Sequence, residues 1–101
     1  MNALWRHPAV LLAWTLFVGC APTLYTVHIL PAARAVHQAE EAGAAELAPY
    51  EYHFANEHLR QAREEAADAY YQDALGHAKI AEEYGEKALD LARRRRREEG
   101  R

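Results

Sequence analysis

Apolar and small residues between positions 48 and 92 recur at intervals of three and four, the spacing that keeps side chains on one face of an α-helix. One set follows this spacing to residue 69, and a second set continues it from residue 71. The first set is Ala48, Tyr52, Ala55, Leu59, Ala62, Ala66 and Ala69, and the second is Tyr71, Ala74, Ala78, Ala81, Gly85, Ala88 and Ala92. The change of phase predicts a turn near residue 70, with two helices folded back along a face of mostly alanine, the alanine seam.

Local signals set the expected helix boundaries. Pro31 and Pro49 each suit the first turn of a helix, because proline lacks the N–H group that is unpaired there. Gly43 is a natural helix stop, and Asp68 is a plausible N-terminal cap for the last helix. The predicted all-α domain covers 31–97, with helices over about 31–42, 49–67 and 70–96 and a tail over 98–101. One kinked helix of more than about 40 residues is the alternative to the hairpin, since neither glycine nor proline marks the break near residue 70.

A hairpin that turns near residue 70 pairs seam residues whose numbers add up to about 140, and each large residue then meets a small one. The pairs are Tyr52 with Ala88, Ala55 with Gly85, Leu59 with Ala81, Ala62 with Ala78, and Ala66 with Ala74. Small residues let helix axes approach closely. They also bury little apolar area, so two such helices alone have marginal stability. We therefore expect the first helix to complete a three-helix unit.

The first twenty residues, MNALWRHPAVLLAWTLFVGC, have the parts of an export signal. Arg6 makes the start weakly positive, residues 8–18 are apolar, and Gly19 precedes Cys20, the single cysteine of the chain. The closing letters LFVGC resemble a bacterial lipobox. That resemblance implies a signal peptide over 1–19, cleaved before Cys20, and a lipid on the Cys20 thiol.

Ala21 follows the cysteine where an aspartate would imply retention in the inner membrane, so the same resemblance implies an outer-membrane protein that faces the periplasm. Two other interpretations stay open. The segment can be an uncleaved membrane anchor, because apolar residues continue to Leu30, or Cys20 can be an ordinary buried thiol. We expect residues 20–30 to form an extended tether, because β-branched residues disfavour a helix there.

Candidate catalytic and metal-binding residues are sparse. His53 and Glu57 are four residues apart and could share a metal ion on one helical face, but no second close pair of ligands accompanies them. The carboxylates are spaced as on the solvated face of an amphipathic helix, and the chain contains no serine. We therefore expect neither an enzyme nor a metal or other cofactor.

Two sets of residues are candidates for contact with partners. The first is an aromatic set of Tyr50, Tyr52, Phe54 and Tyr84, which gathers near the open end of the predicted hairpin and can equally belong to the core. The second is a basic run of Arg93, Arg94, Arg95, Arg96 and Arg97. The run suits anionic lipid, an envelope polymer or an acidic protein, and it equally suits the negative end of a helix dipole. Nucleic acid is not expected at a periplasmic address.

Several stretches resemble a known family. The segment AYYQDALGHAKIAEEYGEKAL resembles the second helix of a tetratricopeptide repeat. The cysteine-anchored start, the AGA at 42–44, LAPYEY, ANEHLRQAREEA and the Tyr-Tyr-x-x-Ala turn resemble small bacterial lipoproteins of the family called domain of unknown function 4398. The resemblance implies a helical fold and an envelope address, and no activity. We expect a non-catalytic protein-interaction or assembly module, with self-association or lipid binding through the arginines as alternatives.

Overall fold

The computed structural model describes residues 20–101, and this part of the chain is helical apart from short connections and the last two residues. The helices are α1 (Cys20–Glu41), α2 (Ala44–Leu47), α3 (Pro49–Ala67) and α4 (Tyr71–Glu99). The all-α class and the helical hairpin are confirmed, and the predicted signal peptide over 1–19 lies outside the described residues. Helix α3 has the predicted bounds. Helix α4 extends through Glu99, so it includes half of the predicted tail and only residues 100–101 follow it.

The prediction of an extended tether over 20–30 is wrong, because α1 begins at Cys20 and runs through all of these residues. The β-branched residues cost only a few tenths of a kcal/mol each in a helix. Packing offsets that cost: the ring of Tyr25 lies 6.2 Å from the ring of Tyr71 on α4. Ile29 packs against the core. Tertiary contacts therefore decide the conformation of this segment.

Pro31 lies inside α1, so the prediction that a helix begins there is also wrong. A proline in a helix interior removes one backbone hydrogen bond and costs about 3 kcal/mol. Ala32, Ala35 and Val36, which follow it directly, are almost completely buried. Burial of this face holds α1 in place across the proline.

Helices α1 and α4 run parallel, with α3 antiparallel to both. Contacts between α1 and α4 rise together in residue number, as three pairs show: Tyr25 with Tyr71, Ala35 with Gly85, and Ala42 with Arg96. The start of α1 and the α3–α4 turn therefore share one end of the bundle. The C-terminal end of α4 lies at the other end, beside α2.

Helix α4 is the centre of the bundle, because it packs against both α1 and α3. Its buried residues are Ala74, Ala78, Ala81, Gly85, Ala88 and Ala92. The predicted seam pair of Leu59 and Ala81 lies within one core cluster. Gly85, predicted to face Ala55, instead makes its closest approach to α1. The alanine seam thus serves two neighbouring helices.

The turn between α3 and α4 ends α3 in a Schellman motif built without glycine. The Tyr70 N–H donates to the Glu65 carbonyl at 2.8 Å, and the Ala69 N–H donates to the Ala66 carbonyl at 3.0 Å. Ala69 has a φ of 64°, in the left-handed region where glycine is usual. The single-helix alternative is therefore wrong, and a local signal for the turn was missing because alanine occupies the glycine position.

Asp68 ends α3 and does not cap α4, contrary to the prediction. The residue before α4 is Tyr70, whose side chain makes no capping hydrogen bond. Gly43 follows α1 with a φ of 80°, as expected for a helix stop.

Replacing Gly85 by alanine should destabilise the bundle. The added Cβ would lie 2.9 Å from the Ala35 Cβ and 3.0 Å from the Val36 backbone nitrogen. We expect Gly85→Ala to lower the free energy of unfolding by about 1–3 kcal/mol, because two backbones must separate. Urea unfolding followed by circular dichroism measures the change.

Gly76→Ala is the matched control, since a Cβ there meets no atom within 4 Å. It should raise the free energy of unfolding by about 0.5–1 kcal/mol, because alanine loses less backbone entropy than glycine in a helix. Equal stabilisation by both changes would show that α1 and α4 are not in close contact at Gly85.

Candidate functional site

Three of the four predicted aromatic residues come together on one surface of the α3–α4 pair. Tyr50 and Phe54, one turn apart on α3, stack with their ring centroids 5.8 Å apart. Phe54 reaches across to Tyr84 on α4, with ring centroids 4.4 Å apart. Tyr50 is 65% exposed. We call Tyr50, Phe54 and Tyr84 the aromatic row.

Tyr84 anchors the aromatic row. It packs against the core cluster that contains Leu59 and Ala81, and the Lys87 ammonium lies 4.5 Å from its ring centroid. Lys87 is itself paired with Glu83 at 2.9 Å. The inner end of the row is therefore held by packing and by a cation–π contact, while its outer end, Tyr50, faces solvent.

Tyr52 does not belong to the aromatic row, and for this residue the core alternative applies. It is partly buried and packs against both core clusters, which include residues of α1 and α4. Burial, and then the nearby Glu40 carboxylate of α1, raise the pKa of the Tyr52 hydroxyl above its ordinary value. Its role is to fill space between the helices, because the alanine core leaves room for one large ring.

A second group of side chains continues the aromatic row toward the α3–α4 turn. His58 lies one turn beyond Phe54, with ring centroids 4.5 Å apart. The His58 Nδ1 is 2.7 Å from the His77 Nδ1 on α4, and the His77 Nε2 is 3.4 Å from a Glu65 carboxylate oxygen on α3. We call Glu65, His77 and His58 the histidine chain.

Sequence reasoning missed the histidine chain, although a signal for part of it was present. The hairpin register of about 140 places Glu65 opposite position 75, which is two residues from His77. The same register places His58 opposite position 82, five residues from His77, so it did not indicate their contact. Contacts across the seam, and not spacing along one helix, join these three side chains.

The short contact between the two imidazoles does not allow both rings to be positively charged. One Nδ1 must donate a proton and the other must accept it, so the hydrogen bond is lost if both rings carry a proton on each nitrogen. Burial, and then the charge of His77, lower the pKa of His58 below its ordinary value, and Glu57 opposes this. The other Glu65 carboxylate oxygen is buried without a hydrogen-bond partner. The histidine chain therefore favours a neutral His58.

His53 and Glu57 are not brought together as a binding site. The His53 ring lies against Tyr52 at 5.1 Å between centroids, and Glu57 accepts a hydrogen bond from the Arg60 Nε at 3.1 Å. Among residues 20–101, no group of three or more His, Cys, Asp or Glu side chains is arranged to hold a metal ion.

Three of the five arginines in the basic run have partners within the bundle. Arg96 donates from Nη2 to the Ala42 carbonyl at 3.2 Å, and Arg95 donates to the Leu47 carbonyl. Arg94 pairs with Asp90 at 2.5 Å. Carbonyl groups at helix ends lack partners within their own helix, so Arg96 and Arg95 fasten the two ends of α2 to α4. All five arginines are nevertheless exposed.

None of the helices between residues 20 and 101 is both long enough and apolar enough to span a membrane. The fold and the surface together define a small all-α protein with an alanine core and an aromatic row on one side. The sequence profile of the family described as domain of unknown function 4398 matches residues 29–101, and the chain belongs to this family. No curated protein and no solved structure matches the chain. Family membership supports the helical fold and assigns no activity.

The histidine chain should make stability depend on pH. In the folded protein the pKa of His58 lies below the value of 6.5 that applies to the unfolded chain. The unfolded chain therefore binds this proton more readily, so the free energy of unfolding is highest above about pH 6.5 and falls as the pH drops. We expect His58→Gln to reduce the fall between about pH 7 and 5, as measured by urea unfolding at each pH.

His37→Gln is the control, because His37 is exposed and its Nε2 lies 3.0 Å from the Glu41 carboxylate on its own helix, away from the histidine chain. It removes one imidazole without touching the histidine chain and should leave the pH dependence as in the unmodified protein. If His58→Gln and the unmodified protein lost stability in parallel, folding would not lower the pKa of His58, and the prediction would be wrong.

Proposed function

We propose that the protein is a lipid-anchored outer-membrane lipoprotein that faces the periplasm and acts as a non-catalytic protein-interaction or assembly module. The aromatic row carries this proposal. Tyr50 exposes a large ring that Phe54 holds in place by stacking, and exposed aromatic residues on a rigid support are typical of protein interfaces. The row lies on α3 and α4, so the α1 side of the bundle remains available for other contacts.

The chemistry of the described side chains supports binding over catalysis. The two imidazoles that could transfer a proton, His58 and His77, face each other. The chain has no serine, and its single cysteine is Cys20. A nucleophile beside a base and an orienting group is the usual requirement for covalent catalysis, and the residues around the histidine chain do not supply one.

The position of Cys20 supports the proposed address. It is the first residue of α1, so a lipid attached there would hold the bundle next to the membrane without an intervening linker. Helix α4 has 29 residues and is therefore about 43 Å long. Its basic run lies at the end of the bundle opposite the start of α1. The arginines are therefore at the end of the bundle farthest from the anchor.

Intact mass spectrometry tests the proposed address. In a Gram-negative host, the membrane fraction should contain a chain that begins at Cys20 and carries added lipid, and Cys20→Ser should lose both the lipid and the cleavage. Thr23→Ser, a similarly small change three residues further on, should keep both. A chain of full length without lipid would contradict the lipoprotein and favour an uncleaved anchor.

Site-specific photo-cross-linking tests the aromatic row. A benzophenone amino acid at position 50 should form an adduct with an envelope protein in intact cells, because Tyr50 is the exposed end of the row. The same probe at Asn56, exposed on another face of α3, should not form that adduct. An adduct with the mass of two copies would indicate that the row mediates self-association and does not bind an envelope protein. The absence of any adduct at position 50 would contradict an interaction surface there.

A further inference from the structure

The first half of α1 exposes a row of large aliphatic side chains. Leu24, Val27 and Leu30 recur every third residue and are 51%, 58% and 61% exposed. They are three of the five large hydrophobic residues exposed on the described surface, the others being Tyr50 and Tyr70. We call Leu24, Val27 and Leu30 the α1 outer face.

Around this face, α1 itself carries no Asp, Glu, Lys or Arg side chain, whereas the neighbouring helix does. Residues 20–33 contain no Asp, Glu, Lys or Arg, and the first such residue on α1 is Arg34. The part of α4 beside this face does carry charges: the contacts of Tyr25 with Tyr71 and of Ala35 with Gly85 bracket both Leu30 and the exposed Lys79. This part of α1 meets a carboxylate through His28, whose Nδ1 lies 3.6 Å from the Glu82 carboxylate on α4.

We propose that the α1 outer face lies in the headgroup layer of the membrane to which Cys20 is attached, so that the bundle rests on its α1 side. This inference rests on the proposed lipid anchor. A face that starts four residues after the attachment point is kept at high effective concentration beside the membrane. A partly buried apolar helix face is the usual way in which a protein segment lies on a bilayer without crossing it.

Distances along α1 require a tilted bundle. At 1.5 Å per residue, Leu24, Val27 and Leu30 lie about 6, 10 and 15 Å from Cys20 along the helix axis. Each headgroup layer is only about 5–8 Å thick. An upright α1 would bring Leu24 into that layer and leave Leu30 in water. All three side chains reach the layer together only if α1 lies close to the membrane plane.

Tyr70 gives the same end of the bundle a second membrane-compatible residue. It lies in the α3–α4 turn, beside the start of α1, and is 63% exposed. Tyrosine is enriched where membranes meet water, because its ring is apolar and its hydroxyl stays hydrated. The opposite end carries the five exposed arginines, so the bundle is polar where it is farthest from Cys20.

A tryptophan reporter tests this orientation. Both tryptophans of the chain, Trp5 and Trp14, precede Cys20, so the lipidated product beginning at Cys20 contains none. We expect Val27→Trp, reconstituted in vesicles of acyl-brominated phosphatidylcholine, to show at least about two-fold lower emission than in unbrominated vesicles, because bromine quenches a ring at the edge of the acyl chains. Leu24→Trp is a second reporter, and intact mass first verifies the lipid on each sample.

An exposed glutamine on another helix supplies the matched control. Gln72→Trp places the ring on α4 near the anchored end, about 200° around the helix from the buried Ala74, and its emission should change little. Gln38→Trp lies on the same side of α1 as Val27, about 16 Å further along the helix. It should therefore be quenched in part if α1 lies close to the membrane plane, and not if α1 is upright.

Three results would overturn the inference. Quenching of Gln72→Trp that equals or exceeds that of Val27→Trp would indicate an upright bundle. Absence of quenching at positions 24 and 27 in lipidated protein would show that the α1 outer face does not contact the membrane. The face would then be exposed to water or, if sedimentation in detergent shows a dimer, covered by a second copy of the chain. A chain without lipid would refute the proposed anchor, and this inference with it.

Discussion

The close approach of α1 to α4 at Gly85 is the contact on which the bundle depends. Alanine and glycine on one face of α4 let two neighbouring helices pack against it, and a single added methyl group at Gly85 would meet the α1 backbone. Small side chains contribute little apolar burial individually. Stability must therefore come from the number of close contacts that α4 makes, with Leu59, Val36 and Tyr52 filling the remaining space.

The parallel arrangement of α1 and α4 gives the bundle two chemically different ends. Cys20 begins α1 beside the α3–α4 turn, and the basic run ends α4 at the far side. Because α1 starts at Cys20, an anchor there would restrict both the distance and the orientation of the domain relative to a membrane. Arg95 and Arg96 bond to carbonyls at the two ends of α2, so part of the basic run stabilises the fold whatever else it binds.

The two sides of the bundle also differ. The α3–α4 surface carries the aromatic row and the histidine chain, which together form one continuous set of ring contacts from Tyr50 to His77. The α1 outer face carries only aliphatic side chains near its start. A partner on the first surface and a membrane at the second would not compete for residues, so the proposed function and the proposed orientation are compatible.

Periodicity was sufficient to predict the helical class and the small-residue face of α4, and the local signals of Pro49 and Gly43 predicted the start of α3 and the stop after α1. All of these features depend on residues within one segment. Only the tertiary structure decided which helix each face meets. Residues 20–30 are helical because Tyr25 and Ile29 pack on the bundle, and Gly85 approaches α1. Tyr52 lies in the core and Tyr50, two residues away, lies on the surface, because α1 covers only one side of α3. The pairing of His58 with His77 joins residues 19 apart, a distance at which helical spacing along one segment carries no information.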